Sequence, residues 1–124
     1  MTLEDLYTKV GGSYGDAIAY LRSERLASRL LVRFLDDTSC ARLLTAWDEH
    51  DWDGAFRAAH EAKGVCANLY LTKLAALADD VTEALRPQAR NDESVTAIAD
   101  TVEELRKADY ATIDAIAAYV AAQP

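Results

Sequence analysis

The chain has 124 residues, 51% of them hydrophobic and 27% charged, which suffices for one globular domain with its own core and leaves no room for a second. Its 13 Lys and Arg against 21 Asp and Glu give a formal net charge of −8, which argues against nucleic acid or an anionic membrane surface as the main partner. No apolar run approaches the roughly 20 residues that span a bilayer. The start, Met1-Thr2-Leu3-Glu4-Asp5, has neither the basic residues nor the apolar stretch of a signal peptide, so a cytoplasmic protein is expected.

Taken in order, Thr2 and Asp5 have the spacing of a helix cap, and Leu3, Leu6, Tyr7 and Val10 supply one apolar face of a short helix that Gly11-Gly12 ends. Ser13 and Asp16 open a second short helix with Ala17, Ile18, Tyr20 and Leu21. These two pieces, within residues 1–22, are expected to lie as a lid on a helical bundle over 23–122. Ser23 starts a stronger helix with Leu26, Leu30, Leu31, Phe34 and Leu35 at helical spacing. Arg22, Arg25, Arg29 and Arg33 lie mostly on its other side and read as a solvated face. After Asp36-Asp37-Thr38-Ser39, Leu43, Leu44 and Trp47 mark a shorter helix that runs to about His50. His50 has no basic or small-residue setting and reads as a surface residue.

Asp51-Trp52-Asp53-Gly54 supplies acids suited to a helix N-terminus, and the next helix carries Ala55, Ala58, Ala62, Val65, Cys66 and Leu69 on one side. Tyr70 to Thr72 is a tight connection with Thr72 as the expected cap. The following helix turns Leu74, Leu77, Ala78, Val81 and Leu85 inward, and Arg86-Pro87 stops it. Ser94 or Asp92 caps a long last helix with Val95, Ile98, Val102, Leu105, Ile113, Ile116 and Val120 on its apolar side, interrupted around Asp109. No strand-like alternation occurs. Long helices with short connections pack as antiparallel neighbours, so the fold class is all-α, an antiparallel four-helix bundle with short additional N-terminal helices, in a single domain over 1–124.

At about 100° per residue, His60 points away from the stripe of its helix. Phe56, Arg57, Lys63, Gly64 and Ala67 surround it. Lys63 is within reach of an anion on the ring, and Arg57 flanks it from the preceding turn. Gly64 and Ala67 leave bare backbone where another protein's surface can come near, and Phe56 stands where an apolar docking patch would begin.

Ala59-His60-Glu61-Ala62-Lys63-Gly64, followed by Ala67-Asn68-Leu69 and Leu71-Thr72-Lys73-Leu74, resembles the signature of histidine-containing phosphotransfer (HPt) domains. The resemblance runs from Ser23 through Arg86. It differs at Ala62, where a leucine is common, and at Tyr70, where a glycine commonly ends the helix. It implies a four-helix bundle and a freestanding phosphocarrier in a multistep two-component relay, with His60 as phosphoacceptor, Lys63 stabilising the phosphate, and Phe56, Arg57, Gly64 and Ala67 at the docking face. The partners implied are a response-regulator receiver domain and a hybrid or sensor histidine kinase, met by a monomer in transient complexes. Mg²⁺ is expected on the receiver, with no cofactor or metal on this chain, and no glycine-rich nucleotide loop is present for autonomous kinase activity.

Three rivals stand against that reading. A zinc-protease motif built on His60-Glu61 needs a second histidine where Gly64 stands. A catalytic triad needs a nucleophile beside the histidine, and Cys66 falls on the core side. Cys40 and Cys66 are far apart in the sequence, outside any metal-ligand spacing, and read as reduced, partly buried thiols. A helical adaptor that docks signalling proteins without being phosphorylated is the serious alternative.

Overall fold

The computed structural model describes all 124 residues and contains seven helices: α1 (Leu3–Lys9), α2 (Tyr14–Leu21), α3 (Glu24–Phe34), α4 (Ser39–Asp48), α5 (Trp52–Asn68), α6 (Thr72–Leu85) and α7 (Asp92–Ala121). Helices α4 to α7 form an antiparallel four-helix bundle. The register is visible in cross-helix pairs: Arg42 meets Glu61 between α4 and α5, while Lys63 meets Asp79 and Phe56 meets Arg86 between α5 and α6. In the last two pairs one partner's number rises as the other's falls, as antiparallel packing requires. Arg106 closes the ring by bonding Asp48 at 2.7 Å from α7 to α4.

Most helix starts follow local chemistry. Thr2 and Asp5 form a reciprocal capping box on α1, and Ser13, Ser23 and Asp51 accept from the backbone of Asp16, Leu26 and Gly54. Two caps differ from expectation. The last helix is capped by Asn91, whose side chain accepts from Ser94 N–H at 2.9 Å while Ser94 Oγ accepts from Asn91 N–H. Thr72 does not cap α6, because it is already the first helical residue and makes no capping bond. Instead the Lys73 N–H donates to the carbonyl of Gly11 at 3.1 Å, so the glycine turn after α1 satisfies a donor that α6 leaves free.

That contact explains Gly11-Gly12. Gly11 is left-handed at φ 71°, and a Cβ there would stand 2.9 Å from Lys73 Cβ. At Gly12 a Cβ would meet both the Tyr7 ring and the Tyr70 carbonyl at 2.8 Å, and the neighbouring Ser13 N–H donates to that carbonyl at 3.0 Å. The pair therefore seats the N-terminal helices against the α5–α6 turn. Tyr70 takes the left-handed conformation, φ 60°, at the position where the family pattern commonly has glycine. A tyrosine there retains the turn at the cost of backbone strain, and its ring meets Tyr20 of α2 at 6.5 Å.

The core differs in phase from the sequence reading in three places. On α5 the buried set is Ala55, Ala58, Ala59, Ala62 and Cys66, with Val65 and Leu69 only half-buried. Flanking by α4 on one side and α6 on the other widens the buried arc to take in Ala59. On α3 the buried residues are Ala27, Leu31 and Phe34, and Leu26 is 40% exposed. On α7 the inward positions continue as Ile98, Val102, Leu105, Asp109, Thr112, Ile116 and Tyr119, so Ile113 and Val120 face outward. Regular alternation of three- and four-residue steps sets that phase, and it places a carboxylate on the inward line. Thr112 and Thr82 are fully buried, each hydroxyl donating to the carbonyl four residues earlier at 2.7 Å.

Helix α3 packs against α2 and α7, and so stands with the N-terminal helices outside the four-helix bundle. Arg22 is not on it. It ends α2 in the left-handed conformation at φ 58°, which leaves Arg25, Arg29 and Arg33 as the row on α3. No helix of the chain is long and apolar enough to cross a membrane.

Candidate functional site

His60 is in the middle of α5 with its side chain exposed, as its angular position requires. It makes no ion pair. Its aromatic neighbour is Phe56, one turn earlier, with ring centroids 6.2 Å apart. Half-buried Phe56 in turn carries the Arg86 guanidinium over its ring, 5.6 Å from the centroid. Arg86 therefore belongs to the site, although its sequence position suggested only a helix stop. Its partner Glu83 lies three residues earlier on the same helix, whereas its approach to Phe56 depends on how α6 packs on α5.

The Lys63 ammonium is bound by Asp79 Oδ1 at 2.8 Å, with both side chains more than two-fifths exposed. A solvent-exposed pair of this kind contributes about 0–1 kcal/mol, so a dianion at the ring can take the lysine away from its carboxylate. Glu83 and Arg86 form the next pair along α6, and each partner stabilises the other's charged form: the Glu83 carboxyl is held below its ordinary range and the Arg86 guanidinium above its own. The α6 flank of His60 thus has two cations, each balanced by an acid.

On the α4 flank, Glu61 is turned away from His60 and bound by Arg42 at 2.9 Å. Arg57, exposed and without an acidic partner, lines a cleft with Arg42, Gly54 and Glu61. It is the unpaired cation nearest His60 on α5. Toward the end of the helix Gly64 and Ala67 are exposed, and a Cβ built at Gly64 would meet nothing within 4 Å. An interior helical glycine is less stable than alanine by about 1 kcal/mol. Nothing in the chain requires that loss.

The other reactive groups lie apart. His50 is in the α4–α5 turn at φ 59° and stacks on Trp52 at 5.1 Å. Cys40 and Cys66 are both fully buried and free, and they face one another between α4 and α5, although the sequence separates them. Contact with Cys66 and burial push the Cys40 thiol far above its ordinary value, leaving it unreactive. No group of three or more His, Cys, Asp or Glu side chains is arranged to hold a metal ion.

The structure therefore brings together His60, Phe56, Arg57, Lys63, Gly64 and Ala67 on one open face, and adds Arg86. No curated relative and no solved structure matches the chain. The family model described as Hpt domain matches residues 29–108, from the middle of α3 to the middle of α7, with the whole His60 face inside it. The chain belongs to the Hpt domain family, whose members serve as histidine phosphocarriers in two-component phosphorelays.

Proposed function

We propose that His60 is the phosphoacceptor, exchanging a phosphoryl group with the aspartate of a receiver domain. A ring nitrogen, Nε2 by family analogy, attacks phosphorus in line; the N–P bond forms as the P–O bond to the aspartyl carboxylate breaks, and the carboxylate leaves with that electron pair. The transition state is loose, so positioning and neutralisation of the equatorial oxygens carry the step. Lys63 supplies one cation after exchanging Asp79 for phosphate, and Arg57 and Arg86 stand on either side. Mg²⁺ belongs to the receiver, and the complex is transient between a monomer and its partner.

The observation that carries this reading is Gly64: an open, destabilising glycine one turn from an exposed histidine makes room for a surface that is not part of this chain. The test is transfer of labelled phosphate from a phosphorylated receiver domain to the parent chain and to His60→Gln. Acid-labile, alkali-stable label on the parent alone is expected. Absence of label under conditions that load another Hpt domain would make the chain a non-phosphorylated adaptor.

A further inference from the structure

The outward face of α3 is positively charged on a molecule whose net charge is −8. Arg25, Arg29 and Arg33 follow at four-residue spacing, all exposed, and none is within ion-pair distance of an acid. Like charges at this spacing destabilise a helix by roughly 0.2–0.5 kcal/mol per pair. Solubility does not require the row, because the acidic excess already supplies it. Leu26 and Val32, 40% and 37% exposed, border the row on either side.

The row ends beside the C-terminal end of the His60 helix. Arg33, Phe34 and Asp37 line one cleft with Val65, Asn68 and Leu69 at the end of the His60 helix. Asn68 lies about 12 Å along α5 from His60, and Arg25 about 12 Å along α3 from Arg33. An interface of ordinary size, roughly 800 Å² per partner and so about 30 Å across, is large enough to reach from His60 across that cleft to the row.

Resting on the phosphotransfer reading, we infer that the α3 arginine row is the electrostatic half of the docking surface, and that it receives an acidic, partly apolar flank of the protein that exchanges phosphate with His60. Charge complementarity selects that occupant. A long polyanion would run off a three-arginine row onto an acidic surface, whereas a protein flank of matching length ends where the row ends. The row acts mainly on association, by steering the acidic partner.

The test uses the full chain, the parent and R25E/R29E/R33E, with R25K/R29K/R33K keeping the charge. Two phosphoryl donors are compared: phosphoramidate, which is too small to dock, and the phosphorylated receiver domain that loads the parent fastest. The expected result is unchanged labelling by phosphoramidate, a fall of about tenfold or more in receiver kcat/KM for the Glu variant at low salt, near-parental rates for the Lys variant, and convergence of all three near 0.5 M salt, as screening at a Debye length of about 4–5 Å requires. Receiver transfer by the Glu variant within twofold of the parent at low salt overturns the inference and leaves His60 as phosphoacceptor. Failure of the parent to label with either donor removes the phosphotransfer reading and this inference with it. Arginine-dependent retention of the parent on heparin or phosphatidylglycerol vesicles, without a salt-sensitive receiver effect, assigns the row to a polyanion instead.

Discussion

Lys63 and Asp79 face each other across the α5–α6 groove, ammonium to carboxylate at 2.8 Å, so the lysine three residues after His60 is occupied before any phosphate arrives. The pair couples the site to α6. On the proposed reading, phosphate on the His60 ring competes with Asp79 for one ammonium, and the weakness of an exposed pair makes the exchange easy.

Asp79→Asn should therefore change stability by no more than about 1 kcal/mol, and raise the phosphorylated fraction at equilibrium with a labelled receiver. Lys63→Ala should lower the transfer rate by about tenfold or more, as expected when a charge-assisted contact to the transferring group is lost. Quench-flow transfer with both variants checks this. An Asp79→Asn variant that loads less phosphate than the parent would show that the carboxylate positions the lysine rather than competing for it.

Gly64→Ala separates stability from function. With nothing within 4 Å of the added methyl, the helix should gain about 0.5–1 kcal/mol in denaturant unfolding. Receiver transfer should slow at the same time, and more for Gly64→Gln, while labelling by phosphoramidate persists. Parental receiver kinetics in Gly64→Gln would mean that no partner surface approaches there.

Gly12→Ala should act in the opposite sense on the fold. Its methyl would stand 2.8 Å from both the Tyr7 ring and the Tyr70 carbonyl, and relieving that overlap forces the α1–α2 turn off α6. A loss of about 1–3 kcal/mol is expected, measured as a lower Tm. Uncapping of α6 should appear as faster hydrogen exchange at Lys73, whose N–H bonds Gly11.

Asp109 predicts a pH effect of definite sign. Burial raises its pKa above the ordinary value, with the neighbouring Asp37 adding and a bond from Cys40 opposing. The folded carboxyl holds its proton more tightly than the unfolded one, so its charge destabilises the fold at neutral pH. That penalty fades as pH falls through the raised folded value toward about 4. Asp109→Asn should raise Tm at pH 7, and its advantage over the parent should shrink as pH approaches 4. A difference that does not vary between pH 4 and 7 would place Asp109 in water.

The sequence by itself determined the helices and the outward direction of His60, because both are local. Helical periodicity sends His60 to the side opposite Ala55, Ala58, Ala62 and Cys66, and caps such as Thr2, Ser13, Ser23 and Asp51 act within three residues of themselves. Tertiary packing decided what no single helix contains. It brought Arg86 over Phe56, gave Lys63 to Asp79 and Glu61 to Arg42, set the free thiols of Cys40 and Cys66 side by side, and assigned the missing cap of α6 to Gly11. It also chose the phase of α7, turning Asp109 inward and Ile113 outward against their residue types. The physical reason is one of range: backbone geometry fixes directions within a helix, whereas a charge, a thiol or an unsatisfied N–H is paired by whichever chain segment the core brings alongside.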